Sequence, residues 1–216
     1  MPDPLSRFVA DERHSASLRG LAVHGDVRHY RKGTIVIHEG DTGDTVFILL
    51  CGRVKVYCTD ARDKEITFGL FGPGEYFGEM ALDGGPRSAS VITQEPCDCA
   101  VISRLRLLSF IAQHPEFAVE LLSKVIRRLR LATRDARNLA FIDVYGRLTQ
   151  CLQDLASLQP DGTRRIAERI THLEIASRVG CSREMVSRIL KDLESGGYVQ
   201  MVDRRIVLVG KLPQRW

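Results

Sequence analysis

The chain has no hydrophobic run long enough to span a bilayer. It shows no leader segment either, because charged and small residues alternate from Asp3 to Arg19. Both absences predict a cytoplasmic protein with no membrane partner. The six cysteines, at 51, 58, 97, 99, 151 and 181, follow no metal-ligand spacing, so no metal is assigned. Cys97 and Cys99 share one face of a strand, where a metal or a disulfide partner is the alternative to the reduced, buried state expected of the set. A large excess of charge of one sign is also missing: 31 Lys and Arg oppose 27 Asp and Glu, net +4.

What is present is a chain of 216 residues, 44% of them apolar, enough for a proper core in one large or two small domains. The basic residues are unevenly placed. Residues 1–115 hold 13 basic and 15 acidic side chains, residues 116–141 hold 6 and 3, and residues 142–216 hold 12 and 9. The positive excess lies in the second half, where a phosphate-contacting surface would need it.

That half contains THLEIASRVGCSREMVSRILKDLESGGYV, Thr171 to Val199. Thr171 with Glu174 three residues on forms a capping box, and Leu173, Ile175, Ala176 and Val179 give the helix an apolar face. Gly180 permits a tight turn. Ser182 caps a second helix whose buried side is Val186, Ile189, Leu190 and Leu193. Its exposed side carries Arg183, Glu184, Ser187, Arg188 and Lys191. The pattern is that of a helix-turn-helix whose second helix enters the major groove. Arg183 and Glu184 lie in the first turn, which reaches base edges; Arg matches guanine and Glu matches the cytosine amino group. Lys191 reads as a phosphate contact. A surface ion pair between Glu184 and Arg188 at i,i+4 is the plainer reading of those two. Tyr198 to Met201 and Arg205 to Val209 read as a two-stranded wing around Asp203 and Arg204.

Upstream, residues 1–20 read as a loose or helical lead-in. From Val27 to Ile102 the chain is rich in β-branched and aromatic residues punctuated by glycine, as in TIVI (Thr34 to Ile37), Thr45 to Cys58, EITFGLF (Glu65 to Phe71) and Ala89 to Gln94. Short strands so closely spaced predict an antiparallel barrel or jelly roll and leave no room for parallel crossovers. Ser103 to Ala112 predicts a short helix. Pro115 then opens a long one to about Leu139, with Phe117, Leu121, Val125, Leu129, Ala132, Ala136 and Leu139 as an apolar seam suited to a twin helix, or to its own barrel. Asp143 to Ser157 predicts a further helix before the QPDG turn at Gln159 to Gly162.

A second constellation is FGEMALDGGPRSA, Phe77 to Ala89. Gly78 lets a ligand approach the backbone, Glu79 can accept from two hydroxyls, Arg87 offers a fork of donors to two phosphate oxygens, and Ser88 adds a hydroxyl. The set makes a cradle for a nucleotide. A structural salt bridge between Glu79 and Arg87 would use the same residues. Neither a metal-binding His/Asp cluster nor a placed nucleophile stands beside them, so a nucleotide-hydrolysing enzyme is not expected and no residue is assigned as catalytic.

From about residue 20 to 210 the chain resembles the CRP/FNR family of bacterial transcription regulators, closest to its cyclic AMP receptor group. The segments GEMAL with RSA, NLAFIDVYGRL (Asn138 to Leu148) and GCSREMVSRILKDLE (Gly180 to Glu194) occur in family order and spacing. The resemblance implies an α+β fold: a cyclic-nucleotide-binding β jelly roll over 20–113, a long dimerisation helix over 114–139, and a winged helix-turn-helix DNA-binding domain over 140–216. It implies that Gly78 and Glu79 hold a ribose and that Arg87 and Ser88 hold a cyclic phosphate, with Thr133 as a base contact. It further implies that Thr171, Ser182, Arg183, Glu184, Ser187, Arg188 and Lys191 form the DNA contact set, on palindromic double-stranded DNA with TGTGA-like half-sites. Cyclic AMP is the expected effector, with no cofactor, and a homodimer and RNA polymerase are expected partners. Two departures stand out. Ala132 replaces the first of two hydroxyl residues that meet the adenine, and Arg127, Arg128, Arg130 and Arg134 make the helix unusually basic, so cyclic di-GMP is the alternative effector. The Gln159 to Arg165 connection is shorter than the loop that meets RNA polymerase in the cyclic AMP receptor. A cyclic-nucleotide-binding adaptor that does not act on DNA is the remaining alternative. No cysteine precedes Cys51, which excludes the family's N-terminal iron-sulfur chemistry.

Overall fold

The computed structural model describes residues 3–60, 65–160 and 162–213, without the side chains of residues 81 and 138–141. The chain divides into two units, Met1–Thr59 with Thr67–Arg128, and Asp60–Ile66 with Leu129–Trp216.

In the first unit, helices α1 (Pro4–Ala10) and α2 (Ala16–Val23) are capped by Asp3 and Ser15. Eight strands follow: β1 (Asp26–Tyr30), β2 (Ile35–Ile37), β3 (Thr45–Cys51), β4 (Val54–Thr59), β5 (Glu65–Phe71), β6 (Tyr76–Phe77), β7 (Ser90–Thr93) and β8 (Cys97–Ser103). They form two four-stranded sheets, β1-β8-β3-β6 and β2-β7-β4-β5. This is the jelly roll expected. Alternation along β3 shows why its sequence is apolar throughout. Phe47 and Leu49 meet Ile37, Val54 and Val91 of the other sheet, whereas Val46, Ile48 and Leu50 meet Phe8, Leu18, Leu21 and Phe117 on the helices. A strand buried on both faces loses its polar residues.

Ser103 caps α3 (Arg104–Gln113), and α4 runs from Pro115 to Phe141. The predicted apolar seam of α4 divides. Phe117 and Leu121 pack on the barrel, while Val125 and Leu129 are exposed together with Val119, Leu122 and Ile126. The reason is the helical period: Val119, Leu122, Ile126 and Leu129 follow the alternating three- and four-residue steps of a coiled-coil stripe. Leu139 belongs to the residues whose side chains are not described.

The second unit contains α5 (Val144–Leu155), β9 (Ala156–Leu158), β10 (Arg164–Ile166), α6 (His172–Val179), α7 (Arg183–Ser195), β11 (Val199–Val202) and β12 (Arg205–Leu208). The wing is not two strands but part of a four-stranded sheet, β11-β12-β10-β9. Correspondingly α5 ends at Leu155, two residues short of its expected end. Ala156 turns extended, and Gln159 closes the hairpin to β10 by donating to the Thr163 carbonyl at 2.8 Å. A three-residue strand has too little sequence for alternation to show. Leu148, Leu152, Ile175, Val186, Leu193 and Leu208 centre the core. Leu173 is not on the buried face of α6 but exposed, because it lies more than 90° around the helix from Ile175, Ala176 and Val179.

Candidate functional site

The loop after β6 carries the predicted cradle. Gly78 sits at φ +83°, where a Cβ would lie 2.7 Å from the Arg87 Nη1. Glycine is therefore required both for the left-handed backbone and for the space. Glu79 then opens a 3-10 turn, Glu79–Asp83. Arg87 is only 7% exposed. Its Nη1 donates to the Thr45 and Gly78 carbonyls at 2.9 and 2.7 Å, and its Nη2 donates to Thr45 Oγ1 at 3.0 Å. Gly43 leaves the guanidinium room, since a Cβ there would lie 2.8 Å from Nη2. The backbone of Arg87 is pinned too: its N–H donates to Asp41 and its carbonyl accepts from Gly40, each at 2.8 Å.

None of these partners is a carboxylate, so the surface ion pair between Glu79 and Arg87 does not form. Burial lowers the guanidinium below its ordinary pKa, while Asp44, Glu79 and Asp41 nearby act the other way. The result is a fixed, half-desolvated positive charge held by neutral acceptors.

Glu79 is bound instead by Arg128 of α4, whose Nη1 donates to Glu79 Oε1 at 2.8 Å. Arg128 Nη2 reaches Glu75 Oε2 at 3.1 Å and the Tyr76 carbonyl at 2.7 Å, and its guanidinium lies 4.4 Å from the Phe71 ring centroid. Sequence reading did not single out Arg128 among the arginines of α4, because charge alone does not tell a surface arginine from one aimed at a carboxylate. Ser88 is exposed, with its hydroxyl 3.1 Å from Met80 Sδ. Thr133 belongs to the second unit, and its hydroxyl donates to the Leu129 carbonyl of its own helix at 2.9 Å.

In the second unit the capping box of α6 is complete. Thr171 Oγ1 accepts from the Glu174 N–H at 3.2 Å, and Glu174 Oε2 accepts from the Thr171 N–H at 2.6 Å. Gly180 takes the left-handed turn at φ +73°. Ser182 accepts from the Met185 N–H at 3.2 Å, so its hydroxyl is a cap for α7. Arg183, Glu184, Arg188 and Lys191 all stand exposed on α7. Arg188 Nη2 lies 2.9 Å from Met185 Sδ, one turn back along the helix. Ser187 is half-buried and bonded to His172 Nδ1 at 2.8 Å, a contact with no sequence signal. Arg147 of α5 ties the turn to its own start, donating to the Val179 carbonyl at 3.0 Å and to Ile142 at 2.8 Å. The wing turn places Asp203 and Arg204 at φ +52° and +60°, as a two-residue hairpin loop requires.

Among the described residues no group of three or more His, Cys, Asp and Glu could hold a metal, and no helix is long and apolar enough to cross a membrane. Comparison with known proteins matches residues 27–114 to the cyclic nucleotide-binding domain and residues 146–211 to the Crp-like helix-turn-helix domain. The chain is 36% identical to the cAMP-activated global transcriptional regulator CRP of Pasteurella multocida, over 90% of this chain and 95% of that one. It is also 36% identical to the cAMP-activated regulator Vfr of Pseudomonas aeruginosa, over 88% and 92% respectively. Among solved structures it is similar to the c-di-GMP-responsive global regulator CLP of Xanthomonas campestris, at 31% identity and a TM-score of 0.78, covering 90% of this chain and 99% of that one. Sequence and fold together establish that the chain belongs to the CRP/FNR family, as a transcription regulator with a cyclic-nucleotide-binding domain and a DNA-binding helix-turn-helix, and not an enzyme.

Proposed function

We propose that the protein is a homodimeric regulator that takes cyclic AMP in the barrel cradle and binds palindromic DNA through α7. The observation that carries the ligand reading is Arg87, a buried guanidinium fixed by three neutral contacts and lacking a carboxylate partner. An anionic phosphate supplies the missing charge, with Ser88 as a second donor. Glu79, oriented by Arg128, accepts from the ribose. Dimerisation uses the exposed stripe Val119, Leu122, Ile126 and Leu129 of α4. On DNA, Arg183 and Arg188 each take a guanine of a TGTGA-like half-site, Glu184 opposes a cytosine, and Lys191 and Thr171 contact phosphates. Ligand binding shifts the population between two arrangements of the recognition helices. RNA polymerase is the partner through which such a dimer acts.

Cyclic di-GMP is the second reading. It is favoured by Ala132 where a base contact is expected, by the arginines at 127, 130 and 134, and by the similarity to a regulator described as c-di-GMP-responsive. Two phosphates need two cationic partners, and Arg87 supplies only one. Calorimetry of the purified protein against cyclic AMP, cyclic GMP and cyclic di-GMP tests both readings. Micromolar or tighter binding of cyclic AMP supports the first. Binding of cyclic di-GMP alone replaces it with the second, and binding of neither contradicts both.

A further inference from the structure

The contact between His172 and Ser187 joins the first residue of α6 to the middle of α7, across the groove between the two helices. Ser187 is flanked at helical spacing by Arg183 and Glu184 on one side and Lys191 on the other, with Arg188 adjacent. It is therefore the one polar residue of the reading face that is held from below rather than left in solvent. His172 is the only histidine after residue 114.

We propose that His172 is a positioning residue of the DNA interface, which sets the proton on the Ser187 hydroxyl and makes DNA affinity rise as pH falls. The inference rests on the reading of α7 as the DNA-reading helix. With a neutral imidazole, the 2.8 Å contact admits two arrangements, Ser187 O–H donating to Nδ1 or Nδ1–H donating to Ser187 Oγ. A protonated imidazole has only donors. Nδ1–H must then give its proton to Ser187 Oγ, and the serine hydroxyl is free to turn outward and donate to an acceptor on DNA. The same protonation places one positive charge beside the backbone amides at the start of α6, a surface that faces phosphate in this reading. In the free protein that charge is opposed by the α6 dipole and by the cations Arg183, Arg188 and Lys191 of α7. Glu174 of α6 is engaged by Thr171, and Glu184 of α7 is the remaining nearby anion. Bound phosphates reverse the balance and favour the charged form.

The sign follows from linkage. DNA prefers the protonated state, so affinity is greatest at low pH and declines as pH rises through the range of about 5 to 8 in which imidazoles ordinarily titrate. The test uses the full chain and a fluorescent duplex carrying inverted TGTGA half-sites, with cyclic AMP present and absent, at several pH values and salt concentrations. Wild type is expected to bind about three- to tenfold tighter at pH 6 than at pH 8, with a log K against log salt slope steeper by up to ~0.9. His172→Gln, which keeps a hydrogen-bonding group but cannot titrate, should show a flat profile. Ser187→Ala should keep the change in salt slope and lose part of the gain in affinity. A merely structural strut would lower affinity equally at every pH. A wild-type profile that is flat, or that His172→Gln reproduces, overturns the inference. Should His172→Gln fail to fold, the His172 ring resonances of wild type decide: they must titrate at higher pH on the duplex than off it, and an unshifted titration overturns the inference. Failure of wild type to bind any duplex at low salt overturns the reading of α7 instead.

Discussion

Replacing Arg87 by Ala separates two roles that the geometry combines. The guanidinium makes three hydrogen bonds, two of them to the backbone carbonyls of Thr45 and Gly78. Bonds from a charged donor contribute ~1.5–3 kcal/mol each, but the desolvation of a 7%-exposed guanidinium offsets much of that sum. The expected net loss of stability is about 2–3 kcal/mol, within the usual range for breaking a buried polar network. Loss of ligand affinity should be larger. Removing one partner of a desolvated charge pair costs ~3–5 kcal/mol, or about two to three and a half orders of magnitude in Kd. Thr45→Val is the control. It removes only the Oγ1 contact, should cost about 1 kcal/mol of stability, and should leave affinity within a few-fold. Thermal unfolding and calorimetric titration on the same preparations read the two effects, with titration well below the melting temperature. A folded Arg87→Ala protein that binds cyclic nucleotide as tightly as wild type refutes the reasoning, because the guanidinium would then be a structural brace alone.

Arg188→Ala should cost ~1–3 kcal/mol of discrimination at one base pair of each half-site, measured on single-base variants at fixed salt; Lys191→Ala should weaken all sites alike. An unchanged preference in Arg188→Ala would remove that residue from the base-reading set. Ala132→Thr should tighten cyclic AMP binding, and Thr133→Ala should weaken it by less than the loss of a free hydroxyl, because Thr133 already bonds to Leu129 at 2.9 Å. Calorimetry compares both with wild type. Arg204→Gly should raise thermal stability by about 0.5–1 kcal/mol, since φ +60° is strained for any residue with a Cβ. A lower melting temperature would show that the arginine side chain outweighs the backbone strain.

The elements that were legible in the sequence are those with a repeating signal. β3 announced itself by seven consecutive strand-forming residues, and α6 and α7 by caps at Thr171 and Ser182 with apolar residues at helical spacing. The strands β9 and β10 were not legible, because three residues carry no period and their pairing depends on a hairpin partner. Leu173 was misplaced because apolar character does not fix the angle around a helix. In the cradle, the residue types were legible from GEMAL and RSA, but their partners were not. Arg128 reaches Glu79 across 49 positions of sequence, and the acceptors of Arg87 are mostly carbonyls, which every residue has. His172 was invisible for the same reason, since its hydrogen bond to Ser187 spans 15 positions and joins two helices.

The central claim is that a nucleotide in the barrel controls binding of DNA by α7, and one titration tests it most directly. A fluorescent duplex with inverted TGTGA half-sites is titrated with the protein at fixed salt, with and without saturating cyclic AMP and, separately, cyclic di-GMP. The account predicts that the nucleotide changes the Kd for this duplex by about tenfold or more, a coupling of ~1.4 kcal/mol, and leaves a scrambled duplex nearly unaffected. Equal Kd values for the specific duplex with each nucleotide and with none would contradict it.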